Sequence, residues 1–254
     1  MSEAAVQVTR QGRVQWIVFN RPKVANAIDD DLANGFVEAL RMAADDAGIG
    51  AVVLTGAGER VFSAGVDLKN PNALSRDDLG ESRRLRVTRS LDAITGFEKP
   101  LISAINGVAS GAGAMLALLD DITVAAPHAS LVFPEIDVGM PSFLALEILT
   151  RLAGEQISLD LILTGRRVTA EEAVRRGLYR EIVEADRLRA HTEDLAEQLA
   201  AKPAISYALN KRWVNDQRRA VLQRAADEAL RVRPLLHAGE PQDTETAARY
   251  SRNS

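Results

Sequence analysis

KPLISAINGVASGAGAMLALLDD, residues 99–121, is the stretch on which the fold of this chain depends. A short apolar run from Leu101 to Ile105 is broken by Asn106-Gly107, and Gly111 and Gly113 precede a second apolar run. This order predicts a buried strand, a glycine-rich turn and a helix. Because a helix N-terminus presents unpaired N–H groups, glycines there let a ligand oxygen approach the backbone. The same glycines also suit close packing against a neighbouring strand, so the pattern leaves both interpretations open.

The length and composition of the chain exclude several classes of function. The chain has 254 residues, enough for a large core, and its net charge of -4 argues against nucleic-acid or membrane-surface binding driven by bulk charge. The absence of cysteine excludes disulfides and thiolate metal sites, and the three histidines lack metal-ligand spacing. Neither the N-terminus nor any later segment contains an apolar run long enough for a membrane span. We therefore expect a soluble, cytoplasmic protein without a metal.

Strand and helix patterns alternate in the first half of the chain. Residues 14–19 (VQWIVF) and 51–54 (AVVL) predict strands, and helical spacing of apolar residues over about 29–46 predicts a helix between them. A polar loop is expected over 70–81, followed by a helix reaching about Phe97. Residues 122–125 and 131–133 predict two more strands. The arginines of the helix before Phe97 indicate either a solvated face or phosphate contacts; they are Arg83, Arg84, Arg86 and Arg89.

Helical patterns dominate after Ser142. Thr169-Ala170-Glu171-Glu172 has the form of a capping box. The last sixty residues carry two apolar stripes, one formed by Ile205, Leu209 and Trp213 and the other by Leu222, Ala225, Ala229 and Val232. These helices cover either their own subunit or a neighbouring one. With no long linker, we predict one domain with a helical C-terminal extension.

Four segments carry a family resemblance. NRPKVANAIDDDL (20–32), VVLTGAGERVFSAGVDLK (52–69), the opening stretch and FPEIDVGM (133–140) stand in the order and spacing of the enoyl-CoA hydratase/isomerase (crotonase) superfamily. The resemblance spans about residues 10–185. It implies an α/β crotonase (ClpP-like) fold of repeated strand-strand-helix units over residues 1–195. It further implies a C-terminal helical region, 196–254, that packs subunits into homotrimers or hexamers.

The resemblance also implies a coenzyme A thioester substrate and the residues that bind it. Coenzyme A enters as part of the substrate, so no separate cofactor is expected. The backbone N–H groups of Val66 and Ala112 match the family's oxyanion hole, which holds the thioester oxygen as an enolate develops. The other implied substrate-binding positions are Lys23, Val24, Ala27, Ala64, Gly65, Asp67, Leu68, Gly111 and Met115. Lys23 either contacts a phosphate or is a simple turn lysine. The family's basic C-terminal tail is missing, and Arg249 and Arg252 are weak substitutes.

The acid–base residues depart from the hydratase pattern. Hydratases of this family use two glutamates, whereas this chain has Met115 at the first position and Glu135 at the second. Adding water is helped by two carboxylates, but moving a double bond needs one base. Apolar neighbours such as Val138 and Met140 are expected to raise the pKa of Glu135. The following GMPSF segment (139–143) also resembles mitochondrial-type 3,2-enoyl-CoA isomerases, so isomerisation of a 3-enoyl-CoA to a 2-enoyl-CoA is favoured.

Other functions stay open at this point. A hydratase, or another crotonase reaction on an unusual acyl-CoA, would need a replacement group such as Asp137 or Glu147. The loss of the first glutamate also fits a non-catalytic acyl-CoA-binding member, and Glu135 alone fits an exposed loop carboxylate. RNA binding finds no support in the acidic net charge.

Overall fold

Two sheets organise the part of the chain that the computed structural model describes, residues 4–67 and 76–237. Their strands are β1 (Val6–Gln11), β2 (Val14–Phe19), β3 (Ala51–Gly56), β4 (Val61–Ser63), β5 (Leu101–Ile105), β6 (Val108–Ser110), β7 (Ile122–Ala125), β8 (Ser130–Val132), β9 (Val168–Thr169) and β10 (Glu181–Ile182). The helices are α1 (Asp30–Asp45), α2 (Arg76–Gly96), α3 (Ala112–Leu119), α4 (Phe143–Ala153), α5 (Glu155–Thr164), α6 (Ala170–Arg175), α7 (Leu188–Ala200) and α8 (Ala204–His237).

The topology repeats a pair of consecutive strands, one strand of which joins each sheet. The larger sheet has the order β1-β2-β3-β5-β7-β10, and the smaller has the order β4-β6-β8-β9. Each of the successive pairs β3-β4, β5-β6 and β7-β8 gives its first strand to the larger sheet and its second to the smaller one. The first two pairs are followed by α2 and α3. The predicted α/β class with strand-strand-helix units is therefore confirmed.

Both faces of the larger sheet are covered, which explains its continuous apolar strands. Side chains alternate along β2 and β3, so Ile17 and Leu54 enter the main core while Trp16 and Val53 face the other side. There α7 covers the sheet, with Ala196 in the same apolar cluster. A parallel sheet buried on both faces favours apolar residues on both sides of its strands, as in residues 51–54 of β3 and at four of the five positions of β5, where Ser103 is the exception.

Several predicted elements match the structure, because their signals are local. β2 spans the predicted residues 14–19, and β7 spans 122–125. Asp29 caps α1 by accepting a hydrogen bond from the Leu32 N–H at 2.9 Å. Thr169 does the same for α6, accepting from the Glu172 N–H at 3.3 Å. These elements confirm the predictions made from periodicity. Of the predicted capping box, the Thr169 cap is present, whereas the Glu172 carboxylate accepts hydrogen bonds from Arg166 instead.

Other predictions need correction. The opening stretch holds a second strand, β6, between β5 and α3, because Val108 turns away to pair with β4 and β8. The predicted loop over 70–81 is wrong from Arg76 onward, where α2 begins; residues 68–75 lie outside the described ranges. The single helix-weakening residue there, Gly80, costs only about 1 kcal/mol. Packing of α2 on α1 and α8 outweighs that cost.

The arginines of α2 do not share one role. Arg86 is 3% exposed and forms a bidentate ion pair with Asp30, with Nε–Oδ1 and Nη2–Oδ2 distances of 2.7 and 2.8 Å. It therefore joins α2 to the start of α1, and neither a solvated face nor a phosphate contact describes it. Arg89 is exposed, and the side chains of Arg83 and Arg84 lie outside the described part of the chain.

The two apolar stripes of the C-terminal helices differ in their surroundings. Leu222 and Ala225 are buried where α8 packs on α2 and α4. Ile205, Leu209 and Trp213 are 77%, 56% and 73% exposed. The proposed boundary near residue 195 stays a prediction. Across the described ranges, the helices contain no segment with the length and hydropathy that a membrane span requires.

Asp121, at the end of the opening stretch, attaches α8 to the sheet. Its Oδ2 accepts hydrogen bonds from the Leu101 N–H at 2.9 Å, the Tyr207 hydroxyl at 3.1 Å and the Lys211 ammonium at 2.8 Å. Lys211 also donates to the Lys99 carbonyl at 2.8 Å. Both ends of the strand–helix unit are thereby held by the same helix.

The neighbouring Asp120 is buried and under-satisfied. Its Oδ2 accepts a hydrogen bond from the Ser103 hydroxyl at 2.6 Å, while its Oδ1 is buried without a partner among the described residues. Burial raises the pKa of Asp120 to about 8. Since the unfolded chain has the ordinary pKa of about 4, the folded state binds this proton more tightly between about pH 4 and pH 8.

We predict that Asp120 makes the protein less stable as the pH rises through this window. Each pH unit should change the unfolding equilibrium constant by up to about tenfold, for one proton. Asp120→Asn should remove this contribution, which urea unfolding between pH 5 and pH 8 will measure. The exposed Asp216→Asn, which loses a carboxylate on α8, is the control. Equal pH slopes in the two variants would contradict the prediction.

Candidate active site

The three predicted catalytic positions come together where the smaller sheet meets α3. Val66 follows β4, Ala112 is the first residue of α3, and Glu135 lies in a short 3₁₀ helix, Pro134–Val138, after β8. A Cβ atom on Gly65 would lie 3.3 Å from the Ala112 nitrogen, and one on Gly111 would lie 2.9 Å from Glu135 Oε1. Adjacent strands of one sheet therefore deliver both N–H groups and the carboxylate to one corner.

The direction of the Val66 N–H is set by hydrogen bonds to Ile28. The Ile28 N–H donates to the Gly65 carbonyl at 2.7 Å, and the Asp67 N–H donates to the Ile28 carbonyl at 3.0 Å. In a trans peptide the N–H points opposite to the carbonyl, so the Val66 N–H points away from Ile28. None of the described residues accepts a hydrogen bond from it. Its role as an oxyanion donor stays a prediction.

The Ala112 N–H is a second such donor. It stands in the first turn of α3, where no intrahelical acceptor exists, and no described residue outside the helix accepts from it. Gly111 reaches this position with φ of +49°, a conformation that L side chains rarely adopt, while its own N–H donates to the Val132 carbonyl at 2.9 Å. Gly113 instead packs against β4, since a Cβ there would lie 2.6 Å from Ser63 Cβ. The packing interpretation therefore applies to Gly113, while the approach of a ligand oxygen at Gly111 stays a prediction.

Glu135 is a carboxylate with one fully buried oxygen. Its Oε2 is buried without a hydrogen-bond partner among the described residues. Burial raises the pKa of Glu135 to about 7, against a smaller lowering effect of a backbone hydrogen bond. The backbone around it is fixed, because the Met140 N–H donates to the Glu135 carbonyl at 2.8 Å. A carboxyl group of this kind both accepts and releases a proton near neutral pH.

The two candidate replacement carboxylates lie elsewhere. Asp137 is exposed, and its Oδ2 lies against Gly165 at the end of α5, where a Cβ would be 2.8 Å away. Glu147 lines a cavity with Leu118 and Leu119, at the C-terminal end of α3. Glu135 approaches Gly111 at the other end of this eight-residue helix, about 12 Å away. Met115, 6% exposed, lies one turn beyond Ala112.

The predicted substrate-binding residues lie on two segments that run side by side. Lys23 and Val24 are exposed on a 3₁₀ helix, Pro22–Val24, while Ala27 is buried. Ala64 is exposed, and its N–H donates to the Ala25 carbonyl at 2.9 Å. The remaining predicted position, Leu68, lies outside the described residues.

Arg21 and Asn26 hold these two segments together, and sequence reasoning missed both. Arg21 donates to the Ala27 carbonyl at 2.6 Å and forms ion pairs with Asp29 at 2.9 Å and Asp67 at 3.1 Å. Asn26 is fully buried with φ of +52°, and its Nδ2 donates to the carbonyls of Ala57 and Val61, each at 3.0 Å. Asn is enriched in this left-handed conformation. An Asn shortly after a Pro-containing turn was therefore a sequence signal that Asn26 holds the backbone of the turn.

Comparisons with known proteins show the family of the chain. The model of the enoyl-CoA hydratase/isomerase family matches residues 9–243. The chain belongs to this family. It is 36% identical over 207 residues to the mitochondrial enoyl-CoA hydratase of Pongo abelii, covering 81% of this chain and 70% of that protein. It is 32% identical over 234 residues to the 2,3-dehydroadipyl-CoA hydratase of Escherichia coli, covering 92% and 90%.

A solved structure supports the same fold assignment. The enoyl-CoA hydratase/isomerase from Mycobacterium paratuberculosis superposes with a TM-score of 0.83 at 28% identity, covering 94% of this chain and 95% of that one. The predicted crotonase fold is thus confirmed.

We predict that Gly111→Ala destabilises the protein more than Gly154→Ala does. Both alanines would adopt positive φ, but only the Cβ at position 111 meets a side chain, Glu135 Oε1, whereas nothing lies within 4 Å at Gly154. Because the contacting atom is the end of a side chain that can shift, the clash should add only about 0.5–1.5 kcal/mol to the loss at position 111, the cost of moving Glu135 off its rotamer, measured by urea unfolding. The difference should shrink in a Glu135→Ala background. Equal losses in the two single variants would contradict the close approach of Glu135 to Gly111.

Proposed function

We propose that this member of the enoyl-CoA hydratase/isomerase family is an enzyme that converts a 3-enoyl-CoA to a 2-enoyl-CoA. The observation that carries the proposal is the Glu135 carboxylate, whose Oε2 is buried without a hydrogen-bond partner, close to two backbone N–H donors that have no acceptor among the described residues. Met115 occupies the position at which the family's hydratases carry their other glutamate. One base is sufficient for isomerisation.

The two N–H groups would stabilise the charge that develops on the thioester. In the proposed complex the thioester oxygen accepts hydrogen bonds from Val66 and Ala112, and these bonds strengthen as the carbonyl becomes an enolate. Each donor of this kind stabilises the transition state by about 3 kcal/mol in other enzymes. The partial positive charge at the N-terminus of α3 acts in the same direction. Since both donors are peptide groups, the Val and Ala side chains need take no part.

Glu135 would carry the proton between two carbons of the substrate. Its carboxylate takes a proton from C2, the electron pair moves into the thioester as an enolate conjugated with the 3,4 double bond, and the carboxyl group returns the proton to C4. The double bond then lies between C2 and C3, no water is consumed and the base is regenerated. A pKa near 7 suits both steps, because the same group must accept and then donate the proton.

The coenzyme A part of the substrate would lie along the paired segments that contain Lys23 and Ala64. Lys23 is exposed there and available to a phosphate. Coenzyme A would enter with the substrate, and we expect no separate cofactor. The cytoplasmic location stays a prediction, since one relative is a mitochondrial protein.

Hydration is the second candidate reaction, and the names of the relatives favour it. The proteins from Pongo abelii and Escherichia coli are both called hydratases. A hydratase with this site would have to add water to a 2-enoyl-CoA with Glu135 alone, since neither Asp137 nor Glu147 lies beside it. A non-catalytic acyl-CoA-binding protein is the remaining alternative, and it would bind the thioester without turnover.

We predict that the protein forms the conjugated product from a 3-enoyl-CoA and that Glu135→Gln lowers this rate by at least about a hundredfold, since the amide cannot accept the proton. The absorbance of the conjugated thioester measures the rate. Glu147→Gln is the matched control and should keep the activity. Unchanged isomerisation in Glu135→Gln would contradict the mechanism, whereas formation of only a 3-hydroxyacyl-CoA from a 2-enoyl-CoA would favour the hydratase.

The pH dependence gives a second measurement of the same mechanism. The base must be ionised, so kcat/KM of the wild type should rise about tenfold per pH unit below pH 7 and level off above it. A rate that instead falls as the pH rises through 7 would require the protonated form and exclude Glu135 as the initial base.

We further propose that the chain assembles with copies of itself as a trimer or a hexamer of two trimers. The support is the exposed stripe of Ile205, Leu209 and Trp213 on α8. We expect light scattering to give the mass of a trimer or hexamer, and Ile205→Glu with Trp213→Glu to yield smaller species. Asp216→Asn, on the same helix, should keep the assembly. A wild-type monomer at micromolar concentration would contradict this proposal.

A further inference from the structure

Ser63 is a buried residue next to the proposed oxyanion hole, at the end of β4. Its side chain is fully buried, and its hydroxyl makes two hydrogen bonds. The hydroxyl donates to the Asn26 carbonyl at 2.9 Å and accepts from the Gly65 N–H at 3.2 Å. Both hydrogen bonds use the same oxygen atom, so position 63 needs a group, such as a hydroxyl, that donates and accepts at once.

Three parts of the site meet at Ser63. Asn26 belongs to the segment that precedes Ile28, Gly65 precedes Val66, and Gly113 lies in the first turn of α3. A Cβ on Gly113 would lie 2.6 Å from Ser63 Cβ and 2.8 Å from Ser63 Oγ. The serine thus touches the backbone that carries each of the two N–H donors. Nothing in these contacts requires Ser63 to touch the substrate itself.

The Ser63 hydroxyl and Ile28 fix Gly65 from both ends. The Gly65 N–H is bound by Ser63 Oγ, and the Gly65 carbonyl by the Ile28 N–H at 2.7 Å. Gly65 has φ of +84° and is the residue with the most rotational freedom in this turn. Because the next peptide carries the Val66 N–H, any rotation at Gly65 changes the direction of that donor.

We propose that Ser63 is a positioning residue that fixes the direction of the Val66 N–H relative to that of Ala112. The effect of Ser63 on the rate of isomerisation rests on the proposed function. Its effect on how well the site stabilises a bound enolate can be measured without that function. Replacement by alanine would leave the Asn26 carbonyl and the Gly65 N–H unpaired, and Gly65 would keep only the hydrogen bond of its carbonyl to Ile28, which loosens the turn. The hydroxyl would act through the backbone, and the loss should appear in enolate stabilisation more than in substrate affinity.

The matched control is Ser158 of α5. It is also fully buried, donates to a carbonyl, that of Gly154, at 2.9 Å, and accepts one hydrogen bond, from Thr150 at 3.1 Å. Ser63→Ala and Ser158→Ala therefore remove the same kind of group with the same number of hydrogen bonds. They differ in whether the lost hydroxyl borders the proposed oxyanion hole.

The probe is a 3-oxoacyl-CoA thioester, whose acidic C2–H gives an enolate that absorbs in the near ultraviolet. We expect the wild type to lower the apparent pKa of the bound probe, and Ser63→Ala to weaken that effect by about one pH unit, a tenfold loss. This is less than the hundredfold that follows removal of a whole oxyanion donor. On a 3-enoyl-CoA, kcat should fall about tenfold while KM changes less than twofold. Ser158→Ala should change neither quantity, and Ser63→Cys should lie between wild type and Ser63→Ala.

Two outcomes would overturn the inference. One is a Ser63→Ala protein that titrates the probe as the wild type does; if that variant fails to fold by urea unfolding, an unchanged titration in Ser63→Cys has the same meaning. The other is a wild type that does not lower the apparent pKa of the probe at all. A wild type that lowers it but isomerises no 3-enoyl-CoA would contradict the proposed function alone, and a selective loss in Ser63→Ala would then still support the role of Ser63.

Discussion

The constraint on which this structure depends is the close approach of β4 and the first turn of α3. Two peptide N–H groups, those of Val66 and Ala112, must stay without acceptors among the described residues and yet remain fixed. Backbone donors are almost always paired, so leaving two free costs stability. The approach is possible only because Gly65 and Gly113 lack side chains, since a Cβ on either would lie under 3 Å from the opposing segment.

The surrounding hydrogen bonds offset that cost and keep the corner rigid. Asn26 and Ser63 are fully buried and bind the backbone of the segments on either side of the Val66 donor. At the far end of the same strand–helix unit, Asp121 accepts hydrogen bonds from Leu101 and from Lys211 of α8. The unit that begins at Lys99 is therefore anchored at both ends, on either side of its glycine-rich middle.

Local patterns predicted the elements whose signals are local, and the family motifs indicated the candidate site. β2 and α1 follow from apolar periodicity and a capping residue. β1 escaped prediction because its side chains are mostly exposed, and β6 because it is only three residues long and needs its partners in the smaller sheet. Asn26 and Ser63 were missed for a related reason. Their importance comes from contacts with residues that are distant in the sequence, which no motif spacing contains.

The raised pKa of Glu135 follows from the groups that surround its carboxyl group. A second carboxylate nearby would raise its pKa by repulsion and would hold a water molecule between the two groups. With Met115 at the matching position, burial is the main cause of the raised pKa, and Oε2 is left without a hydrogen-bond partner among the described residues. Among the described residues, no group is hydrogen-bonded to Oε2 to share its proton. The proton that the carboxyl group takes from a carbon is therefore available for return to the same molecule, which is the requirement of an isomerase.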